Sequence, residues 1–220
     1  MANLVSPYIN TELFTVVQLH PNQMNQDLYI NLITNLKKKV EKKCNTHGYV
    51  TTVYKILAYN SGIIIAEDFM TSCRYNIQYS GRICIPLEES TIICKVKILK
   101  KLMITAENGP IITFIKANDF NQQTLKRDQD GNIVVIKTNK KIQIDDYVKI
   151  IVKQSVFRTG DERIIVIGYL YDIAIDSEVI KFYNENLTYT NDEETVLMTE
   201  ESDVEIESDN EGTSTNYMDI

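Results

Sequence analysis

Four cysteines and two histidines are the residues best suited to metal or nucleophilic chemistry, and their spacing argues against both. Cys44, Cys73, Cys84 and Cys94 lie at gaps of 29, 11 and 10 positions, whereas a zinc knuckle needs pairs roughly two to four residues apart. They read as reduced core thiols. His20 stands beside Pro21, and His47 follows a lysine-rich stretch. Neither has an identifiable partnering nucleophile. No Gly-x-Ser-x-Gly elbow, phosphate-binding Gly-x-x-x-x-Gly-Lys loop or Gly-x-Gly-x-x-Gly fingerprint occurs. The carboxylate pairs Asp145-Asp146 and Asp161-Glu162 fall near turns, apart from one another in sequence, where a metal-dependent nuclease would need them clustered. The alternation Asp203, Glu205, Glu207, Asp209, Glu211 is superficially like a calcium loop but lacks the glycine that lets such a loop turn. The expectation is a binding protein, with no catalytic residue, no metal and no cofactor.

The binding chemistry rests on lysines interleaved with an aromatic residue. Lys95, Lys97 and Lys116 beside Phe114, with Lys149, Lys153 and Arg158, make a candidate RNA-binding surface on which bases stack and phosphates are neutralised. A solvated strand face accounts for the same lysines. The run Lys37, Lys38, Lys39, Lys42, Lys43 either binds phosphate or complements a helix dipole. The net charge of −7 conceals an asymmetry: from Phe182 to Ile220 there are twelve acidic residues and no lysine or arginine. The rest of the chain then carries 23 basic against 18 acidic side chains. Residues 182–220 are expected to be a disordered acidic tail, poor in apolar residues. That tail is either simply solvated or a nucleic-acid mimic competing for basic surface. Ser202 and Ser208 each precede a glutamate by three positions, a pattern open to an acidic-directed kinase.

Elements that position these residues can be read from periodicity. Met24, Leu28, Leu32, Leu36 and Val40 recur every fourth residue, predicting one amphipathic helix over Met24–Cys44. A strand candidate, Leu13–Leu19, precedes it. Tyr49–Tyr59, Ile63–Ala66, Cys73–Tyr79 and Arg82–Ile85 follow, and Pro86 marks a break. Beyond it the alternation in Ile92–Ile98 is that of a half-buried strand. Met103–Glu107 and Ile111–Lys116 flank an Asn108-Gly109-Pro110 turn, and a hairpin with Asp130-Gly131 at its tip joins Thr124–Arg127 to Asn132–Lys137. Tyr147–Phe157 and Arg163–Tyr171 complete the set. The fold class is α+β: a small N-terminal α+β domain over 1–86, an OB-type β-barrel over 87–181, and the tail over 182–220. No apolar run approaches the roughly 20 residues of a membrane span, and the N-terminus lacks the pattern of a secretory signal, so no membrane partner is expected.

This order of elements resembles the stalk subunit of multi-subunit RNA polymerases, the family formed by the seventh subunit of polymerase II and its archaeal counterpart. Leu19-His20-Pro21 ahead of the helix, Gly48-Tyr49-Val50 after it, and Ile77-Gln78-Tyr79 running to Pro86 are similar to the family's first domain. Gly109-Pro110 with Phe114-Ile115, Asp145-Asp146, and Ile167-Gly168-x-Leu170-x-Asp172 are similar to its barrel. The likeness covers roughly residues 10–175. Two departures stand out: Glu88-Glu89 where the family has a glycine entering the barrel, and Met103 and Thr105 where it has a glycine and an aromatic.

The resemblance implies a non-catalytic subunit whose α+β domain docks on the large polymerase subunits, with His20, Pro21, Asn60, Ser61 and Gly62 as candidate docking residues. It further implies a barrel near the RNA exit path that handles nascent RNA and supports initiation. A helical stalk partner is usual in the family. A free-standing OB-fold protein binding single-stranded RNA in translation or decay is the alternative. Richness in Asn, Ile, Lys and Tyr points to an AT-rich genome, with a large DNA virus favoured over a protist. The location would then be the virion and the host cytoplasm with its viral factory, or the nucleus for a cellular source.

Overall fold

The computed structural model describes residues 4–64, 72–128 and 132–184. The chain first builds an antiparallel sheet and then a closed barrel. In the sheet, β1 (Tyr8–Leu19) pairs with β5 (Cys73–Cys84), which pairs in turn with β3 (Tyr49–Tyr59). The two-residue strands β2 (Lys43–Cys44) and β4 (Ile63–Ile64) pair with β3 and β5 respectively. Helix α1 (Leu28–Val40) covers one face, burying Leu32, Leu36 and Val40 against Leu13, Val17 and Leu19 of β1 and Val50, Val53, Ile77 and Tyr79 of the other strands. Removing each such side chain from water contributes about 1.5–3 kcal/mol, before chain-ordering costs are set against it.

Helix α1 is shorter than the periodicity of the sequence predicts. Pro21–Gln23 forms a separate 3-10 turn, and the Asn25 carboxamide accepts the Asp27 amide at 2.9 Å, so the α-helical ladder starts only at Leu28. At the other end Lys42 turns left-handed with φ 59, and Cys44 is already paired with Tyr49. Strand β5 is conversely longer than predicted. Gly81 stands at mid-strand, where an added Cβ would lie 2.9 Å from the Thr52 carbonyl oxygen of β3. It is therefore a site of close backbone approach and leaves the strand unbroken.

The barrel strands are β6 (Thr91–Leu99), β7 (Met103–Asn108), β8 (Ile111–Phe120), β11 (Tyr147–Val156) and β12 (Ile164–Ile173). Their order is β6-β7-β8-β12-β11, closing back on β6, with β8 and β12 parallel and the other pairs antiparallel. A closed five-stranded barrel of this order is compatible with the OB type. Between β8 and β11 a small hairpin, β9 (Leu125–Arg127) with β10 (Ile133–Val135), lies against the barrel's core cluster through Leu125, Ile133 and Val135. The predicted tip at Asp130-Gly131 lies outside the described residues, as do 65–71. Alternate residues point inward, among them Cys94, Val96, Ile104, Ala106, Ile115, Ile150 and Val166, all buried.

A second helical run, α2, spans 176–184 and was not predicted. Phe182, the first residue of the expected tail, is buried in it to 2% exposure against Ile93 and Ala174, with Val179 and Tyr183 alongside. The apolar residues 179, 182 and 183 have helical spacing; the acidic composition downstream masked it. The remainder of the expected tail, 185–220, lies outside the described residues.

Sheet and barrel share a core, because Cys44 of β2 and Cys84 of β5 belong to the barrel's apolar cluster. Tyr8 fills the seam: its hydroxyl donates to the Asn108 carboxamide oxygen at 3.4 Å, and the Arg82 guanidinium lies 5.0 Å from its ring centre. Burial pushes the Tyr8 phenol and the Cys84 thiol far up, and lifts Cys44 to about 11 and Cys94 to about 12.

Candidate nucleic-acid and docking surfaces

The predicted RNA-binding residues do not form one patch. Lys95 and Lys97 lie on β6, Phe114 and Lys116 on β8, Lys149 and Lys153 on β11, and Arg158 in the loop after β11. Strand register decides which of them meet. Thr105 of β7 is paired with Phe114, and Met103 with Lys116, while Ile167 of β12 flanks Phe114 on its other side. Phe114 is thus a half-buried ring on an outer face whose neighbours are Thr105 and Ile167 rather than further aromatics.

Several of the cations are already engaged. The Lys95 amine lies 2.9 Å from the Asp145 carboxylate; that hydrogen bond lowers the Asp145 pKa and raises that of Lys95. Lys153 lies 3.5 Å from Asp119 and 5.1 Å from the centre of the Tyr169 ring. Lys149 is the most shielded of the set. Its amine meets the Glu178 carboxylate at 2.7 Å, which holds α2 on the barrel. Arg158 is exposed at the end of the barrel nearest the sheet, where its amide donates to the Asp161 carboxylate at 2.7 Å.

What remains at the opposite end is Lys97, Phe114 and Lys116, together with residues that sequence reasoning passed over. Lys100 and Lys101 are exposed in the β6–β7 turn beside Leu102, whose exposure is 83%. The Arg127 guanidinium steadies this turn, donating to the carbonyls of Lys101 at 3.2 Å and Ala117 at 3.1 Å. Adjacent lysines between two predicted strands were the available signal. This end presents cations around one ring, an arrangement suited to phosphates and a single stacked base.

The predicted docking residues do come together. Leu19 is paired with Cys73 on one side of β5, and Ile64 with the same Cys73 on the other. His20-Pro21 and Asn60-Ser61-Gly62 therefore emerge at one end of the sheet. The 60–62 turn is well fixed. The Asn76 amide donates to the Asn60 carboxamide oxygen at 2.9 Å, and Gly62 has φ 79 with room for no Cβ beside Cys73 and Tyr75. His20 is held by the Gln23 carboxamide, which accepts its amide at 3.2 Å. Ile63 and Ile64 stand more than half exposed next to this turn. They are the described part of the predicted strand Ile63–Ala66 and form an apolar end on this side of the sheet, a feature suited to a protein contact.

Glu89 explains one departure from the family pattern. It adopts φ 62 at the entrance to the barrel, and its amide donates to the Val152 carbonyl at 2.7 Å. Glu89 thus holds a left-handed backbone, a conformation that a glycine adopts without strain.

No family model matches the chain. Individual relatives do. The chain is 36% identical over 147 residues, 67% of its length and 73% of the relative's, to a protein of Acanthamoeba polyphaga mimivirus described provisionally as a DNA-directed RNA polymerase subunit. It is 29% identical over 100 residues to the seventh subunit of DNA-directed RNA polymerase II of Glycine max, and 28% identical over 100 residues to that of Arabidopsis thaliana. These two matches take in 45% of the chain and 56% of each plant protein, so the chain spans about half the length of the plant relatives it matches.

Proposed function

From the premise that the chain belongs to the stalk-subunit family of DNA-directed RNA polymerases, which includes the seventh subunit of polymerase II, we propose that it docks on the polymerase core through its N-terminal sheet. It is a non-catalytic subunit, so chain synthesis rests with the large subunits. The docking domain is residues 1–86, and the contact is the end formed by His20, Pro21, Asn60, Ser61 and Gly62 with Ile63 and Ile64. The barrel that follows is of OB type and lies near the RNA exit path. There it handles the nascent transcript through Lys97, Phe114, Lys116 and the Lys100-Lys101 turn, and supports initiation. The source is a large DNA virus, and the subunit works in the viral factory of the host cytoplasm and is packaged in the virion.

The observation that carries this reading is the 36% identity to the mimivirus subunit over two thirds of the chain. The shared core of sheet and barrel supports it, since a subunit that couples the polymerase core to the transcript needs its two ends rigidly joined. The test is a gentle pull-down of the tagged protein from its native source with mass spectrometry. Stoichiometric recovery of the two large polymerase subunits is expected. Recovery of ribosomal or decay factors, or of RNA alone, would overturn the docking role in favour of a free-standing RNA-binding protein.

A further inference from the structure

A second group of cations without an acidic partner among the described residues, apart from those at the β6–β7 turn, lies beside helix α1. The ion pairs formed by Lys95, Lys140, Lys141, Lys149, Lys153 and Arg163 all involve barrel strands or the loops between them. Among the described residues, Lys37, Lys38, Lys39, Lys42, Lys43 and Arg74 form none. Three of these cations line one concavity. A groove of about 580 Å³ runs along the edge of β1, with Lys38 and Lys39 of α1 on one wall and Arg74 of β5 on the other. Val16 and Val17 supply apolar surface between them, and Arg74 stands beside Gln18 in the strand register.

The groove is built. The Lys39 amine donates to the Val16 carbonyl and the Asn35 carboxamide to the Gln18 carbonyl at 3.1 Å, which caps the strand edge and fixes both side chains. A lysine ammonium carries three donors, so Lys39 keeps two for a ligand. Among the described residues, no acidic side chain lines the concavity. A dipole-complementing lysine run accounts for cations at the end of a helix. It does not account for an arginine from a strand converging on the same space.

We propose that this groove is a receptor for an extended acidic peptide, and that its occupant is the segment Asp203–Glu211 of the same chain. That segment carries a carboxylate at every second position, 203, 205, 207, 209 and 211. In an extended chain alternate residues share a face at intervals of roughly 6.6 Å, so all five project together. Reach is sufficient. Tyr183 lies within electrostatic range of Tyr8, at the start of the strand whose far end lines the groove. The twenty residues from Tyr183 to Asp203 can span up to roughly 66 Å. Along β1 the separation of Tyr8 from Val16 is about 26 Å. Occupied, the groove is neutralised; emptied, it is free for another polyanion. This inference stands whether or not the barrel binds RNA.

The test uses the full chain. Zero-length carbodiimide coupling of an equal mixture of unlabelled and nitrogen-15-labelled protein, followed by peptide mapping, is expected to join Lys38 or Lys39 to carboxylates of 203–211. The joined peptides should carry a single isotope. Isotopically mixed products would assign the groove to a second copy. Joining to Lys100, Lys101 or Lys116, or no joining, would overturn the proposal outright. A second measurement is binding of a fluorescent peptide with the sequence of residues 200–212. A tail segment held at an effective concentration of about 1 mM competes with it. Amide substitution of Asp203, Glu205, Glu207, Asp209 and Glu211 should therefore tighten peptide binding about tenfold for a peptide of roughly 0.1 mM affinity. Lys38→Gln with Arg74→Gln should then abolish it. Equal affinity with and without the amide substitutions would overturn the same-chain occupant. Oligouridylate binding that depends on Lys38 and Arg74, with no peptide binding, would make the groove a nucleic-acid site instead.

Discussion

Cys44 and Asp161 are joined backbone to backbone: the Cys44 amide donates to the Asp161 carbonyl at 2.7 Å, while the Cys44 carbonyl accepts the neighbouring Gly160 amide at 2.8 Å. This pair ties β2 of the N-terminal sheet to the β11–β12 loop of the barrel. The Val5 amide adds a bond to the Thr91 carbonyl at 3.0 Å, and Tyr8 packs at the Asn108-Gly109 turn. The two units should therefore unfold together. A Cβ at Gly109, which has φ 54, would come to 2.3 Å from the Tyr8 hydroxyl. Gly109→Ala is expected to cost about 1–3 kcal/mol in urea, with circular dichroism and tyrosine fluorescence moving in one transition. Two separated transitions in the parent protein would refute the coupling.

Gly168 supplies a sharper test of barrel packing. On β12 its hydrogen faces inward, and an added Cβ would lie 2.4 Å from an Ile150 methyl and 2.7 Å from the Thr113 methyl. Gly168→Ala should lower stability by about 1–3 kcal/mol through overpacking. In the Ile150→Ala background that cost should shrink, because alanine removes the Cγ2 methyl the new Cβ would strike; purely additive losses would locate the strain elsewhere.

Glu89 leads to a prediction of opposite sign. A left-handed non-glycine residue costs roughly 1–2 kcal/mol, and glycine costs about 0.5–1 kcal/mol in unfolded-state entropy. Glu89→Gly should therefore stabilise the protein by about 0.5–1 kcal/mol, read as an increased urea midpoint at constant slope. A lowered midpoint would mean that the glutamate side chain makes a contact worth more than the strain.

The buried thiols set an alkaline limit. Cys44 and Cys94, lifted by desolvation to about 11 and 12, stay protonated in the fold at a pH where an unfolded chain has lost those protons. Tyr79 is likewise lifted to about 12 by burial. Above the ordinary thiol value the folded state holds more protons than the unfolded one. The stability that these groups contribute is complete below that value and is lost as pH rises towards 11–12. Denaturant midpoints should fall steadily over that window, and Cys94→Ala, whatever its packing cost at neutral pH, should make the fall shallower.

Much of the architecture was legible because its elements are amphipathic at the standard periods. Tyr49–Tyr59 was predicted with the bounds observed, and each barrel strand was found to within a few residues. What escaped depends on contacts distant in sequence. Gly81 looked like a strand break until β3 was seen to press against it, and Phe182 looked like tail until Ile93 and Ala174 were seen to cover it. Among the surface candidates, nothing local distinguishes Lys149, pinned by Glu178, from Lys116, which is exposed. That His20-Pro21 and Asn60-Ser61-Gly62 lie in turns was legible from the proline and the glycine, whereas their meeting at one end of the sheet and the exposure of Ile63 and Ile64 were not.

That contrast between Lys149 and Lys116 allows the proposed RNA-handling role to be tested separately from structural upkeep. Lys116 is exposed beside Met103 and two residues along β8 from Phe114, among the cations of the β6–β7 turn. Lys116→Glu with Lys97→Glu should weaken single-stranded RNA binding and flatten its salt dependence by about two phosphate contacts, because each neutralised phosphate releases counterion. Phe114→Ala should cost about 1–3 kcal/mol of binding through lost stacking, with the salt slope unchanged. Lys149→Glu should do the reverse. It places a like charge 2.7 Å from Glu178 and strips α2 from the barrel, lowering thermal stability while leaving the salt slope as it was. RNA crosslinking inside the assembled polymerase completes the comparison. Loss with the Lys97 and Lys116 changes but not with Lys149→Glu would place the transcript on the β7–β8 face. Loss with Lys149→Glu alone would move it to the side of the barrel that α2 covers, because only there would stripping the helix alter what the RNA meets.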